Sequence, residues 1–245
     1  MVNDYTRKVT HHGYENPEKL KKHYHKVDKI ICVKLDDTKT YLKCIYDNNF
    51  VYYGTSGSMT PIICIVIFSW LSVGLFWFTD EVLTTVYLFI AILSALITIF
   101  FTIYLFTKPK KERMLNRRDG LVTMTGFLWQ KNITMEFKKV EFSYSTGGED
   151  GTGAFSLECI RPNKWKTLDD YRYTGTNCYQ AISFITWYMD KNRPLPPGPV
   201  FDEFRDKDFE RRKAAGFPKP LYPSNIPTPE ATPEQQKERL IIGGW

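Results

Sequence analysis

Asp80 and Glu81 are the only charged residues between Pro61 and Thr107. Two adjacent carboxylates in apolar surroundings suit one of two roles: a proton or ion site inside a membrane, or the polar turn between two apolar segments. The other acid pairs, Asp36–Asp37, Glu149–Asp150 and Asp169–Asp170, lie in turn-like and strand-like stretches with no base or metal partner readable beside them. All four histidines, His11, His12, His23 and His25, fall within the first 25 residues. Adjacent and i,i+2 spacings put no two imidazoles on one helix face, and a Ser-His-Asp or Cys-His arrangement would require this arm to fold back. The glycine-rich stretch STGGEDGTGA lacks the Gly-Lys-Ser/Thr ending of a phosphate-binding loop, and Glu149 and Asp150 lack EF-hand spacing. H-E-x-x-H, G-x-S-x-G and G-x-G-x-x-G are absent from the sequence. The expectation is a protein that is not an enzyme, with no cofactor and no metal site.

The elements around Asp80 and Glu81 decide their role. Residues 61–79 and 82–107 are apolar on every face, whereas a helix of a soluble domain shows a polar stripe at 3.6-residue spacing. At about 1.5 Å per residue the two runs are roughly 28 and 39 Å long, against a hydrocarbon core of about 30 Å. One unbroken helix would be about 70 Å, too long for one crossing, so the chain must turn within the stretch. Two carboxylates at mid-bilayer cost about 5–7 kcal/mol, while each Ile, Val, Leu or Phe contributes only about 0.3–0.6. Placing the acids at the far surface avoids that cost and sets them in the first turn of the second helix, where the dipole favours negative charge. The expected arrangement is a two-helix transmembrane hairpin with Asp80 and Glu81 at its turn outside the membrane.

Flanking charge sets the orientation. The segment KPKKERMLNRR after the second run holds Lys108, Lys110, Lys111, Arg113, Arg117 and Arg118 against one Glu. The N-terminal 60 residues hold ten Lys/Arg against seven acids, and the turn holds none. The positive-inside rule then places both termini of a two-span membrane protein in the cytoplasm. The same six basic residues are candidate contacts to anionic lipid, beside the alternative that they are a topology signal alone. The net charge of +6 is largely accounted for by this flank, so nucleic acid is not expected as a partner. Five cysteines, an odd number without C-x-x-C spacing, suit reduced thiols.

The rest of the chain reads as an α+β protein. Residues 1–26 form a polar arm, and residues 27–60 carry strands assigned to the β domain, KIICVKL, KTYLKCIYD and NNFVYYG. The membrane hairpin occupies 61–107. Residues 108–193 form an antiparallel cytoplasmic β domain, with strands GLVTMT, FLW, ITMEFKKVEFSYS and AFSLECI. One amphipathic helix closes it, with Cys178, Ala181, Ile182, Ile185, Tyr188 and Met189 on the buried face. Residues 194–245 form a charged, proline-rich tail: RPLPPGP a stiff linker, FDEFRDKDFERRKAAG helical, and TPEQQKERL a short helix capped by Thr232.

This order of strands and one closing helix after a two-span hairpin and a basic junction resembles bacterial membrane proteins with a pleckstrin-homology-like cytoplasmic domain. The tail, DFERRKAAGFPKPLYPSNIPTPEATPEQQ, looks like that of a group of uncharacterised two-span proteins of Gram-negative bacteria, some from toxin-delivery gene neighbourhoods. The resemblance implies a non-catalytic membrane protein whose cytoplasmic domain binds a protein partner, such as a secreted toxin neutralised by an immunity factor. Two alternatives stand beside it: a membrane-anchored lipid-binding or assembly module, and a small oligomeric channel. Ser69, Ser72, Gly74, Thr84, Thr85, Ser94 and Thr98 within the spans suit close helix packing and a homo-oligomer as well as a channel.

Overall fold

The computed structural model describes residues 8–10, 44–53, 59–77, 84–146, 155–163, 165, 167–170 and 178–245. Asp80, Glu81, the four histidines, KIICVKL, Asp36–Asp37 and Glu149–Asp150 lie outside them. The described residues fall into two compact units. One lies within Met1–Gly54, Glu112–Thr125 and Asn132–Trp245, the other within Thr55–Lys111 and Gly126–Lys131.

The first unit is a mixed α+β structure with two antiparallel sheets. The five-stranded sheet runs in the order β1 (Cys44–Tyr46), β2 (Phe50–Tyr53), β3 (Arg113–Asn116), β4 (Leu121–Met124), β5 (Ile133–Glu136). The three-stranded sheet runs β6 (Phe142–Thr146), β7 (Phe155–Ile160), β8 (Leu168–Asp170). Side chains two apart share a sheet face, and one row crosses four strands: Val51 opposite Leu115, Leu115 opposite Val122, and Val122 opposite Met135. All four are fully buried in a core shared with Leu157 and Cys159 of the second sheet. Tyr53 lies directly opposite Arg113, so the chain leaves the sheet after β2 and returns at β3 in hairpin register.

Two strand assignments are corrected. FLW is a turn between β4 and β5, and ITMEFKKVEFSYS is broken by a 3-10 turn at Phe137–Lys139. Phe137 enters the core there, while Lys138 and Lys139 pair with Glu136 at 3.1 and 3.4 Å. The turn carries the chain from one sheet to the other.

The closing helix α3 (Cys178–Met189) presents Cys178, Ala181, Ile182, Ile185, Tyr188 and Met189 to the core. Phe184, Tyr188 and Phe201 stack, with ring centroids 5.7 to 6.3 Å apart. RPLPPGP is not a free linker: Pro194, Leu195 and Pro196 are buried. A 3-10 turn (Pro199–Phe204), α4 (Arg205–Ala214) and α5 (Pro233–Gly243) follow, and Phe201, Phe209 and Phe217 are buried. Thr232 caps α5 by accepting from the Gln235 N–H at 3.2 Å, with Pro233 in the first turn, where its missing N–H costs nothing.

The second unit holds α1 (Met59–Trp77) and α2 (Thr84–Thr107), packed against each other. Small residues allow the approach: Ala91 and Ser94 are buried, and the Ser72 hydroxyl donates to the Ala91 carbonyl at 3.3 Å. Among the described residues α2 alone is long and apolar enough to cross a membrane; the apolar stretch of α1, Met59–Leu75, is shorter.

Candidate functional site

The six basic residues singled out after α2 have different roles. Arg117 is 1% exposed and its guanidinium donates to the carbonyls of Tyr188 at 2.7 Å and Arg193 at 2.6 Å and to Asp208 at 3.3 Å. It is a core arginine, which corrects its expected role as a lipid contact. Arg113 is also turned inward, donating from Nε and Nη2 to Asp169 at 3.1 and 2.6 Å. Arg118 is exposed. Lys108, Lys110 and Lys111 belong to the second unit, and Lys111 Nζ donates to the carbonyls of Gly126 at 2.8 Å and Gln130 at 2.6 Å.

Arg117 opens a buried ionic chain that fastens the C-terminal residues to the β domain. Asp208 on α4 also accepts from Arg211 at 2.8 Å and from Arg212 Nε at 2.9 Å. Arg212 forks onto Glu230 with two bonds of 2.7 Å, and Glu230 accepts from Arg239 of α5 at 3.0 Å. Burial works against the Asp208 carboxylate, but Arg117, Arg212 and Arg211 together hold it below its ordinary value. Burial lowers Arg117, opposed by Asp208; a guanidinium nonetheless keeps its proton. A second set works beside it. Asp190 accepts from Arg193 Nε at 3.1 Å and from the backbone N–H groups of Asn192, Leu221 and Tyr222 at 3.0 to 3.1 Å. Arg193 donates to the Tyr222 carbonyl at 2.8 Å and Asn192 to that of Lys219 at 2.7 Å. Tyr222 is packed edge-on to Phe137 at 5.4 Å, and burial beside Asp190 pushes its phenol up to about 12.

Asp169 joins the two sheets. Besides Arg113 it accepts from the Thr125 N–H at 2.7 Å, the Thr125 hydroxyl at 2.9 Å and Arg161 at 3.1 Å, and Arg161 donates in turn to the Thr125 and Leu168 carbonyls. Each of the carboxylates Asp169, Asp190, Asp208 and Glu230 is paired with an arginine of the same unit. Burial raises the Cys159 thiol well above its ordinary value, the opposite of an activated nucleophile. No group of three or more His, Cys, Asp and Glu suited to a metal occurs among the described residues. A cavity of about 10 Å³ beside Arg205, Arg212 and Glu230 has room for one water.

Several large apolar side chains also face outward. On α5, Leu240, Ile241 and Ile242 are 52, 73 and 47% exposed, beyond Trp245, whose indole lies under Arg239 at 4.3 Å and donates to the Phe217 carbonyl at 2.9 Å. On α1 and α2, Trp70, Trp77 and Phe106 are 82% exposed or more. The hydroxyls of Ser94, Thr98, Thr102 and Thr107 each donate to a carbonyl three or four residues back at 2.6 to 2.9 Å. As donors they are satisfied within their own helix.

Sequence reading missed the turn Gly126–Lys131, because Phe-Leu-Trp has strand composition; Gly126 before it and Asn132 after it were its punctuation. No protein-family model, curated protein or solved structure matches this chain.

Proposed function

We propose that the chain is a non-enzymatic, two-span inner-membrane protein whose cytoplasmic α+β domain binds a protein partner. The observation that carries the membrane part is the outward display on α1 and α2: only 11% of the apolar window of α2 is buried, whereas a core helix of a soluble protein is mostly buried. The helix α1, at 19 residues and about 1.5 Å per residue, reaches roughly 28 Å and completes the crossing as a hairpin in this reading. Five- and three-stranded antiparallel sheets followed by one core helix support the likeness to a pleckstrin-homology-like domain.

The binding part rests on the exposed Leu240, Ile241 and Ile242 at the end of a helix that the ionic chain holds in place. Apolar side chains on a rigid element suit a protein groove. By the resemblance of the tail, the partner is a secreted toxin and the protein its immunity factor. Affinity purification of the tagged chain from native membranes tests this. A stoichiometric partner that is lost from Ile241→Glu is the expected result, and a toxin among the captured proteins makes it an immunity protein. Recovery of the chain alone with bound anionic lipid refutes partner binding and puts the lipid or assembly role first.

A further inference from the structure

We propose that the β4–β5 loop Gly126–Lys131, together with the end of α2, forms a bilayer-interface site that takes anionic phospholipid headgroups. The proposal rests on the membrane reading of α2 and moves the lipid contact away from the buried Arg113 and Arg117.

The loop is a built structure. The Trp129 indole N–H donates to the Thr107 hydroxyl at 2.7 Å, and its ring stands edge-on to Phe100 and Tyr104 at 5.4 and 5.1 Å. These three partners follow the i, i+4, i+7 face of the last two turns of α2. Lys111 Nζ closes the loop through the Gly126 and Gln130 carbonyls. A Cβ at Gly126 would lie 2.4 Å from the Gln130 carbonyl oxygen, and Leu128 holds a φ of +44°. Only glycine fits the first position, and the second is held in the sparsely populated left-handed region.

Its position identifies the occupant. The helix α2 has 24 residues, about 36 Å, which exceeds a hydrocarbon core of about 30 Å by roughly one turn. The surplus turn lies among headgroups, and Trp129 is bonded to that turn. Phe106 at the end of α2 is 82% exposed, and in the loop Phe127 and Trp129 are 47 and 41% exposed. Lys108, Lys110 and Lys131 flank these rings in the same unit. Aromatic rings with lysines at the end of an apolar helix are the composition that a negatively charged bilayer surface favours.

Full-length protein in nanodiscs carries the test. The emission of Trp129 is the difference between wild type and Trp129→Phe, and that of the helix tryptophans is the difference from Trp70→Phe/Trp77→Phe. Lipids brominated on the acyl chain quench on contact. Trp129 is expected to be quenched by shallow bromines. Brominated phosphatidylglycerol should quench it about twofold or more above brominated phosphatidylcholine at equal mole fraction, because the flanking lysines enrich the anionic lipid around the loop. Lys108→Gln/Lys110→Gln/Lys131→Gln should remove that preference, and Lys207→Gln should leave it. Phe127→Trp supplies a second reporter at the same loop with the same expected behaviour. Quenching of Trp70 and Trp77 at either bromine depth without quenching of Trp129 overturns the loop proposal and leaves the spans intact. No quenching of any of the three overturns the membrane reading itself. Equal quenching by the two lipids overturns the anionic preference.

Discussion

Removing Asp208 takes a carboxylate partner from two buried guanidinium groups. Its carboxylate accepts from Arg211 at 2.8 Å, Arg212 at 2.9 Å and Arg117 at 3.3 Å, and Arg117 and Arg212 are both 1% exposed. Breaking a buried ion pair from one side costs about 3–5 kcal/mol, because the other charge stays desolvated and uncompensated. Here Arg117 keeps its two backbone carbonyls and Arg212 keeps its fork to Glu230. Asp208→Ala is therefore placed at the lower end, about 3 kcal/mol. For a domain of this size class each kcal/mol moves Tm by about 2–4 °C, giving a fall of roughly 6–12 °C. Near-ultraviolet circular dichroism during thermal unfolding of the detergent-purified chain reads it. Glu238→Gln, which breaks only the exposed Lys213–Glu238 pair, is the control and should unfold with wild type. An Asp208→Ala chain that melts with the control would refute the argument that this ionic chain fastens the C-terminal helices.

The same carboxylate makes an acid signature. Asp208 is held below its ordinary value by the arginines, so its stabilisation is complete above the unfolded pKa of about 3.9 and is lost as pH falls through the lower folded value. The stability gap between wild type and Asp208→Asn should accordingly narrow on acidification below that range, as read by denaturant titration at several pH values. Gly243→Ala should loosen the end of α5: the added Cβ would lie 2.8 Å from the Phe217 carbonyl and 2.6 Å from its Cβ. A cost of about 1–3 kcal/mol and faster proteolysis after Phe217 are expected. Cys159, buried with its thiol pKa raised, should resist maleimide in the native protein and react only in denaturant, as mass spectrometry of labelled peptides would show.

What was legible in the sequence was whatever apolar spacing encodes. The uninterrupted runs after Met59 and Thr84 mark α1 and α2, and the 3- and 4-residue spacing from Cys178 to Met189 marks α3. Thr232-Pro233 marks the start of α5 by capping chemistry, which is local. The helix in FDEFRDKDFERRKAAG was legible and is α4, but the docking of the proline-rich stretches around it was not, because that burial is not organised by apolar periodicity. It depends on Asp190, Asn192 and Arg193 binding backbone groups about 30 residues away, and such partners have no spacing rule. Arg113 and Arg117 were misread for the converse reason. A run of basic residues beside an apolar helix has the composition of a topology signal, yet β3 begins within it and turns those two guanidiniums inward. The loop Gly126–Lys131 was hidden by aromatic residues that favour strands on average but here pack on a helix.

In the proposed reading, α1 and α2 are a membrane insertion between β2 and β3. Because Tyr53 lies directly opposite Arg113, an Asn-Gly turn in place of residues 54–112 can join β2 to β3 without changing their register. Alkaline carbonate extraction of cell membranes, applied to the full chain and to this shortened chain, is the most direct test. The account predicts that the full chain stays in the membrane pellet while the shortened chain appears in the supernatant, folded and with a cooperative melt. A full chain released by carbonate, or a shortened chain that remains unfolded, would contradict it.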